Sequence, residues 1–81
     1  MDNTSNKTLL SELSENQRAV IEKCCAGGVL QQKLLDMGFI SGAEVLMVRN
    51  APLRDPIEIE IQNFFLSVRR SEAARIKVTP V

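Results

Sequence analysis

The residues able to do chemistry are few. Histidine, tryptophan and tyrosine are all absent from the 81 residues. Without an imidazole, neither a Ser-His-Asp nor a Cys-His arrangement can activate a nucleophile. Gly27-Gly28 lacks the Lys and Ser/Thr that complete a phosphate-cradling loop. The chain therefore reads as a binding module and not an enzyme. Its only thiolate ligands are Cys24 and Cys25. Adjacent cysteines rarely reach disulfide geometry, so they read as free thiols of a reducing compartment. Neighbouring side chains on a strand point to opposite faces, and a closed structural metal site needs about four ligands. One cysteine is thus expected to be buried as a small apolar residue and the other partly exposed. They are the candidate ligands for Fe2+ or Zn2+, within one chain or shared between two copies in a homo-oligomer. No cofactor is required by any other feature.

Chemistry of recognition is better represented. Leu53, Arg54 and Asp55 lie between Pro52 and Pro56. Prolines stiffen such a loop and lower the entropy lost on binding. Leu53 then either anchors a partner or plugs the end of the fold. Phe65 either packs beneath residues 9–13 or the helix, or stands exposed as a partner anchor. Arg69 and Arg70, with Arg75 nearby, form a local basic cluster. It is either a solvated surface or a docking patch for acidic groups. Leu35 sits off the apolar stripe of its helix and is a further contact candidate.

The overall charge limits the partners. Ten Lys and Arg balance ten Asp and Glu, for a net charge of zero. Nucleic-acid binding needs an excess of cations to replace phosphate counterions, and none exists here. Base stacking suffers too, because only three Phe supply aromatic faces. The apolar runs are a few residues long, against the about 20 needed to span a bilayer. The first seven residues are polar and unlike a signal peptide. Together these features predict a cytoplasmic protein with no direct membrane insertion.

The elements that must position these residues follow from periodicity. Residues 1–8 read as a flexible tail and residues 9–81 as one domain. Residues 18–24 read as a strand whose inward face is undecided, since Ala19, Val20 and Ile21 are all apolar. Residues 29–37 read as a helix, with Leu30, Leu34 and Met37 on one face and Gly38 as its C-cap. Residues 44–50 read as a strand. Ile57, Ile59 and Ile61 alternate with Glu58, Glu60 and Gln62, and Phe64, Leu66 and Val68 alternate with Phe65, Ser67 and Arg69. With Gln62-Asn63 as a two-residue turn, Ile61 faces Phe64, Ile59 faces Leu66 and Ile57 faces Val68. A one-residue slip would set isoleucines against Ser67 and Arg69, so this register is specified. All six are expected to face inward. One helical turn at residues 71–74 and a last strand at residues 75–78 complete the pattern. Five short strands avoid bare edges best by closing into a small barrel.

Several segments then come in a telling order: Leu10-Ser11-Glu12-Leu13, Leu34-Leu35-Asp36-Met37-Gly38-Phe39, Ser41-Gly42-Ala43-Glu44-Val45, Ala51-Pro52-Leu53-Arg54-Asp55-Pro56 and Leu66-Ser67-Val68-Arg69-Arg70-Ser71-Glu72-Ala73. Their order and spacing resemble the FeoA family of ferrous-iron-transport accessory proteins over residues 9–78. The sequence departs from that family's pattern at turns. Glu15-Asn16 stands where Pro-Gly is frequent, Ser41 where Pro is, and Arg54 and Asn63 where Gly is usual. The resemblance implies a mainly β fold, a five-stranded SH3-like barrel with the short helix inserted and the helical turn before the last strand. It further implies a cytoplasmic accessory that contacts the GTPase-bearing cytoplasmic part of the transporter FeoB, and so sits peripherally at the inner face of the membrane. The same barrel ends the iron-dependent repressors of the diphtheria-toxin-repressor type. The alternative expectation is therefore a metal-sensing or transcription-linked module. Polyproline binding, the usual task of SH3 domains, is disfavoured by the lack of Trp and Tyr.

Overall fold

The structure, a computed structural model, describes residues 8–81. Of the expected tail, residues 1–7 lie outside the described residues, and Thr8 already belongs to a strand. In chain order the elements are β1 (Thr8–Leu9), a single 3-10 turn (Leu10–Glu12), β2 (Arg18–Cys24), α1 (Gly28–Asp36), β3 (Glu44–Arg49), β4 (Ile57–Ile61), β5 (Phe64–Val68), α2 (Arg70–Ala73) and β6 (Ile76–Pro80). The strands form one antiparallel sheet in the order β1-β6-β2-β3-β4-β5.

Six strands are present where the sequence predicts five. The extra one, β1, pairs Thr8 with Val78 and Leu9 with Lys77. Two residues are too few to show an alternation, so no periodicity announces it. Among the described residues no ladder joins β1 to β5, so hydrogen bonds do not close the barrel. Helical side chains contribute to the interior instead. Leu34 of α1, Ala73 of α2 and Leu10 of the 3-10 turn are all fully buried and share one core with the strands.

The β4–β5 hairpin has the register that alternation specifies. Ile57 pairs with Val68, Ile59 with Leu66 and Ile61 with Phe64. Gln62 and Asn63 both take positive φ, 51° and 69°, as a type I′ turn requires. Ile57, Ile59, Ile61 and Val68 are buried and Leu66 is half-buried, but Phe64 is 68% exposed. Its inward expectation fails for a positional reason. Alternation fixes which face a side chain takes, not whether anything covers that face. Phe64 occupies the last row of an edge strand, at the hairpin tip.

The undecided face of β2 is settled by its neighbours. Ala19 and Ile21 are buried, while Val20 is half-buried on the other side. A register shift between Ile21 and Lys23 marks a bulge around Glu22. A second shift in β3, between Met47 and Arg49, bends the sheet again. The helix ends as its sequence demands. Gly38 adopts φ 107° and its N–H donates to Leu35 O (3.0 Å), while Phe39 N–H donates back to Leu34 O (3.1 Å). This is the paired bond pattern of a Schellman motif. It turns Phe39 into the core, where it is fully buried.

Candidate functional site

The segment between β3 and β4 is the feature most unlike the rest of the molecule. Leu53 is fully exposed at its apex and has φ 64°. A left-handed conformation costs an L-residue other than Gly about 1–2 kcal/mol. An exposed leucine in a disfavoured conformation contributes nothing to folding, and strain of this kind concentrates at functional positions. The alternative that Leu53 plugs the barrel end is excluded by its exposure.

The segment is held from below by one side chain. Arg70 opens α2 and is half-buried. Its Nη2 donates to Arg54 O (2.6 Å) and Ala51 O (3.0 Å), and its Nη1 donates to Asn50 Oδ1 (2.7 Å). Its main-chain N–H donates to Asp55 Oδ1 (2.8 Å). Asn50 passes the linkage on: its Nδ2 donates to Leu13 O (2.7 Å) and Ser11 O (3.1 Å), and its N–H donates to Glu15 Oε2 (2.9 Å). Arg54 N–H closes the turn on Ala51 O (3.1 Å). The sequence places Arg70 among the residues offering charge to a partner. The geometry corrects this, because its guanidinium is spent on oxygens of the chain itself. Asn50 and Glu15 are absent from the sequence-based candidates. The available signal is weak: Asn50 carries a donor and an acceptor on one short side chain, next to a Pro-bounded loop.

The other candidates fall into two groups. Asp55 and Pro56 form a ridge between two open grooves. One is lined by Lys33, Met37, Ser67, Arg69 and Glu72, the other by Glu15, Arg49, Ala51, Arg54 and Glu58. Leu53, Arg54, Asp55 and Arg69 thus gather around the loop, and all are exposed. Phe65 is 72% exposed, so it does not pack beneath residues 9–13 or the helix. It lies two residues before Ser67 in β5, on the same face of that strand. Lys33 Nζ meets Glu72 Oε2 at 3.3 Å, tying α1 to α2 across the first groove. With Lys33 more than half exposed, that pair adds at most about 1 kcal/mol.

Leu35 and the cysteines stand apart. Leu35 is half-buried on α1 and lines neither groove. Cys24 ends β2 opposite Ile76, half-buried against the core, and Cys25 beyond it is exposed. Both are free thiols. Among the described residues, no three His, Cys, Asp or Glu side chains are grouped to hold a metal ion.

Comparison with known proteins bears on this arrangement. The FeoA domain model matches residues 8–80. The chain is similar to the Fe(2+) transport protein A/Fe(2+) transporter FeoB fusion protein of Porphyromonas gingivalis, with 42% identity over 69 residues. That match takes in 85% of this chain and spans 8% of the relative's length. In structure, the chain is similar to the FeoA of Stenotrophomonas maltophilia complexed with zinc, a prokaryotic SH3-domain protein. The TM-score is 0.78 and the identity 32%, over 88% of each chain. A manganese-dependent transcriptional repressor shares the fold alone: TM-score 0.83 at 10% identity, over 93% of this chain and 42% of the repressor.

Proposed function

The chain belongs to the FeoA domain family, and from that membership we propose that it serves ferrous iron transport without catalysis, by docking on the GTPase-bearing cytoplasmic part of a FeoB-type transporter. The observation that carries the proposal is the Porphyromonas gingivalis relative, whose name joins an Fe(2+) transport protein A to the transporter FeoB in one polypeptide. Fusion gives two partners a high effective concentration without any extra contact. Outside a fusion, the same association has to come from the surface of the FeoA domain itself.

The Leu53 loop suits that task. Its apolar apex is ready to enter a pocket, and its backbone is held by the bonds from Arg70. Exposed Arg54 and Arg69 flank it and favour an acidic rim on the partner. Phe65 adds a second apolar contact. Docking there would keep the chain at the inner face of the membrane. No helix among the described residues is long and apolar enough to cross one.

The test is titration calorimetry against the isolated cytoplasmic part of a FeoB-type transporter. Burying a leucine is worth about 1.5–3 kcal/mol, so Leu53→Asp should weaken binding at least about tenfold. Phe65→Asp should weaken it similarly. Binding indifferent to both substitutions refutes the surface, and absence of binding by the unaltered chain refutes the function.

A further inference from the structure

Leu53 owes its position to its neighbours and to nothing it touches itself. The loop around it has two ends, and one residue holds both. On one side the Arg70 guanidinium binds Ala51 O and Asn50 Oδ1; on the other it binds Arg54 O, while its main-chain N–H binds the Asp55 carboxylate. These four partners bracket the apex. We propose that Arg70 is a positioning residue for recognition: it presets the left-handed conformation of Leu53, so that a partner meets the loop already ordered. This inference rests on the docking role of Leu53 proposed above and adds the device that makes the loop competent.

The chemistry calls for arginine. Its guanidinium is planar and offers five N–H donors in a fixed fork, which lets one side chain serve three oxygens at once. A lysine ammonium is a compact, strongly hydrated charge on a flexible stem and cannot hold the same three. Arg69, next in the chain, shows the contrast: it is exposed and lines a groove wall. Adjacent arginines therefore have different duties, one toward the chain and one toward solvent or a partner.

The consequence is entropic. Fixing one backbone residue costs enough that leaving a single loop residue to be ordered at binding lowers affinity about tenfold. Arg70→Lys should therefore weaken association with the transporter's cytoplasmic part about tenfold while the fold persists. A merely structural role is separated by two further readings on the full-length chain. Backbone order parameters of residues 53–55 should fall from about 0.85 to below about 0.6, while those of β2 and β6 stay fixed. Arg69→Lys, as a control, should leave them unchanged. In a double-mutant cycle, Arg70→Lys in a Leu53→Ala background should cost less than about twofold, because the residue to be positioned is already gone. Equal losses in both backgrounds, or a loop as ordered in the Arg70→Lys variant as in the original, overturn the inference. Should Leu53→Ala bind like the unaltered chain, the docking surface fails by itself. The order parameters still decide whether Arg70 holds the loop.

Discussion

Leu53→Gly removes a side chain that is fully exposed and a Cβ that the backbone at φ 64° accommodates poorly. Two free energies change, with opposite signs. For stability, relief of the left-handed conformation gains about 1–2 kcal/mol. The added freedom of glycine in the unfolded chain gives back about 0.4–1 kcal/mol. No packing is lost, so the net is a gain of about 0.8 kcal/mol at the middle of the two ranges. In a domain of this size 1 kcal/mol shifts Tm by about 4–8 °C, which puts the expected rise at about 3–6 °C. For binding, the lost burial of a leucine lowers affinity about tenfold to a hundredfold. Thermal melts followed by circular dichroism read the first, and calorimetric titration with the transporter's cytoplasmic part reads the second. A variant that binds worse and melts higher is the signature of a residue kept for recognition. A fall in Tm of more than about 4 °C would mean that Leu53 packs within the fold after all. Unchanged affinity would mean that the strained apex has another purpose.

Ile59 is fully buried and flanked by Met47 and Leu66. Ile59→Ala should cost about 2–5 kcal/mol in urea denaturation, a large part of the about 4–12 kcal/mol expected of an 81-residue chain. A loss below about 1 kcal/mol would contradict the position assigned to β4. Asn63→Gly should stabilise by about 0.3–1 kcal/mol, since the position needs positive φ and glycine takes it without steric cost. A destabilised variant would show that the Asn63 side chain makes a contact worth more than the conformational gain. Thiol labelling of the folded chain should modify Cys25 faster than Cys24, which packs against the core. One equivalent of Fe2+ or Zn2+ should leave both rates unchanged; protection would reveal a metal site built on these cysteines.

The hairpin is legible in the sequence because two independent signals agree. Period-two alternation runs through both strands, and a turn ending in Asn63, which tolerates positive φ, joins them, so Ile57–Val68, Ile59–Leu66 and Ile61–Phe64 follow without knowledge of the remainder. The helix cap is legible for a similar reason: Gly38 after the last apolar turn, then Phe39, is a local motif with a defined bond pattern. What escapes a reading of the sequence depends on contacts distant along the chain. Phe64 follows the alternation and is still exposed, because coverage depends on what other elements place over the sheet edge. The side-chain bonds from Arg70 reach 16 to 20 residues back along the chain, and those from Asn50 reach 37 to 39. Neither has a periodic signature, and a pair of arginines in sequence does not say which of them turns inward. The site is therefore half visible: the Pro-bounded loop and Leu53 stand out by composition, whereas the hub that holds them emerges only once the chain is folded.

Recognition through the Leu53 loop is the claim on which function depends, and amide chemical shifts report it residue by residue. The isotope-labelled chain, titrated with the cytoplasmic part of a FeoB-type transporter, should show shifts or broadening at residues 53–55, 65 and 69, with β2 and β6 undisturbed. A spectrum unchanged at saturating partner, or changes gathered at Cys24 and Cys25 and absent from the loop, would contradict it.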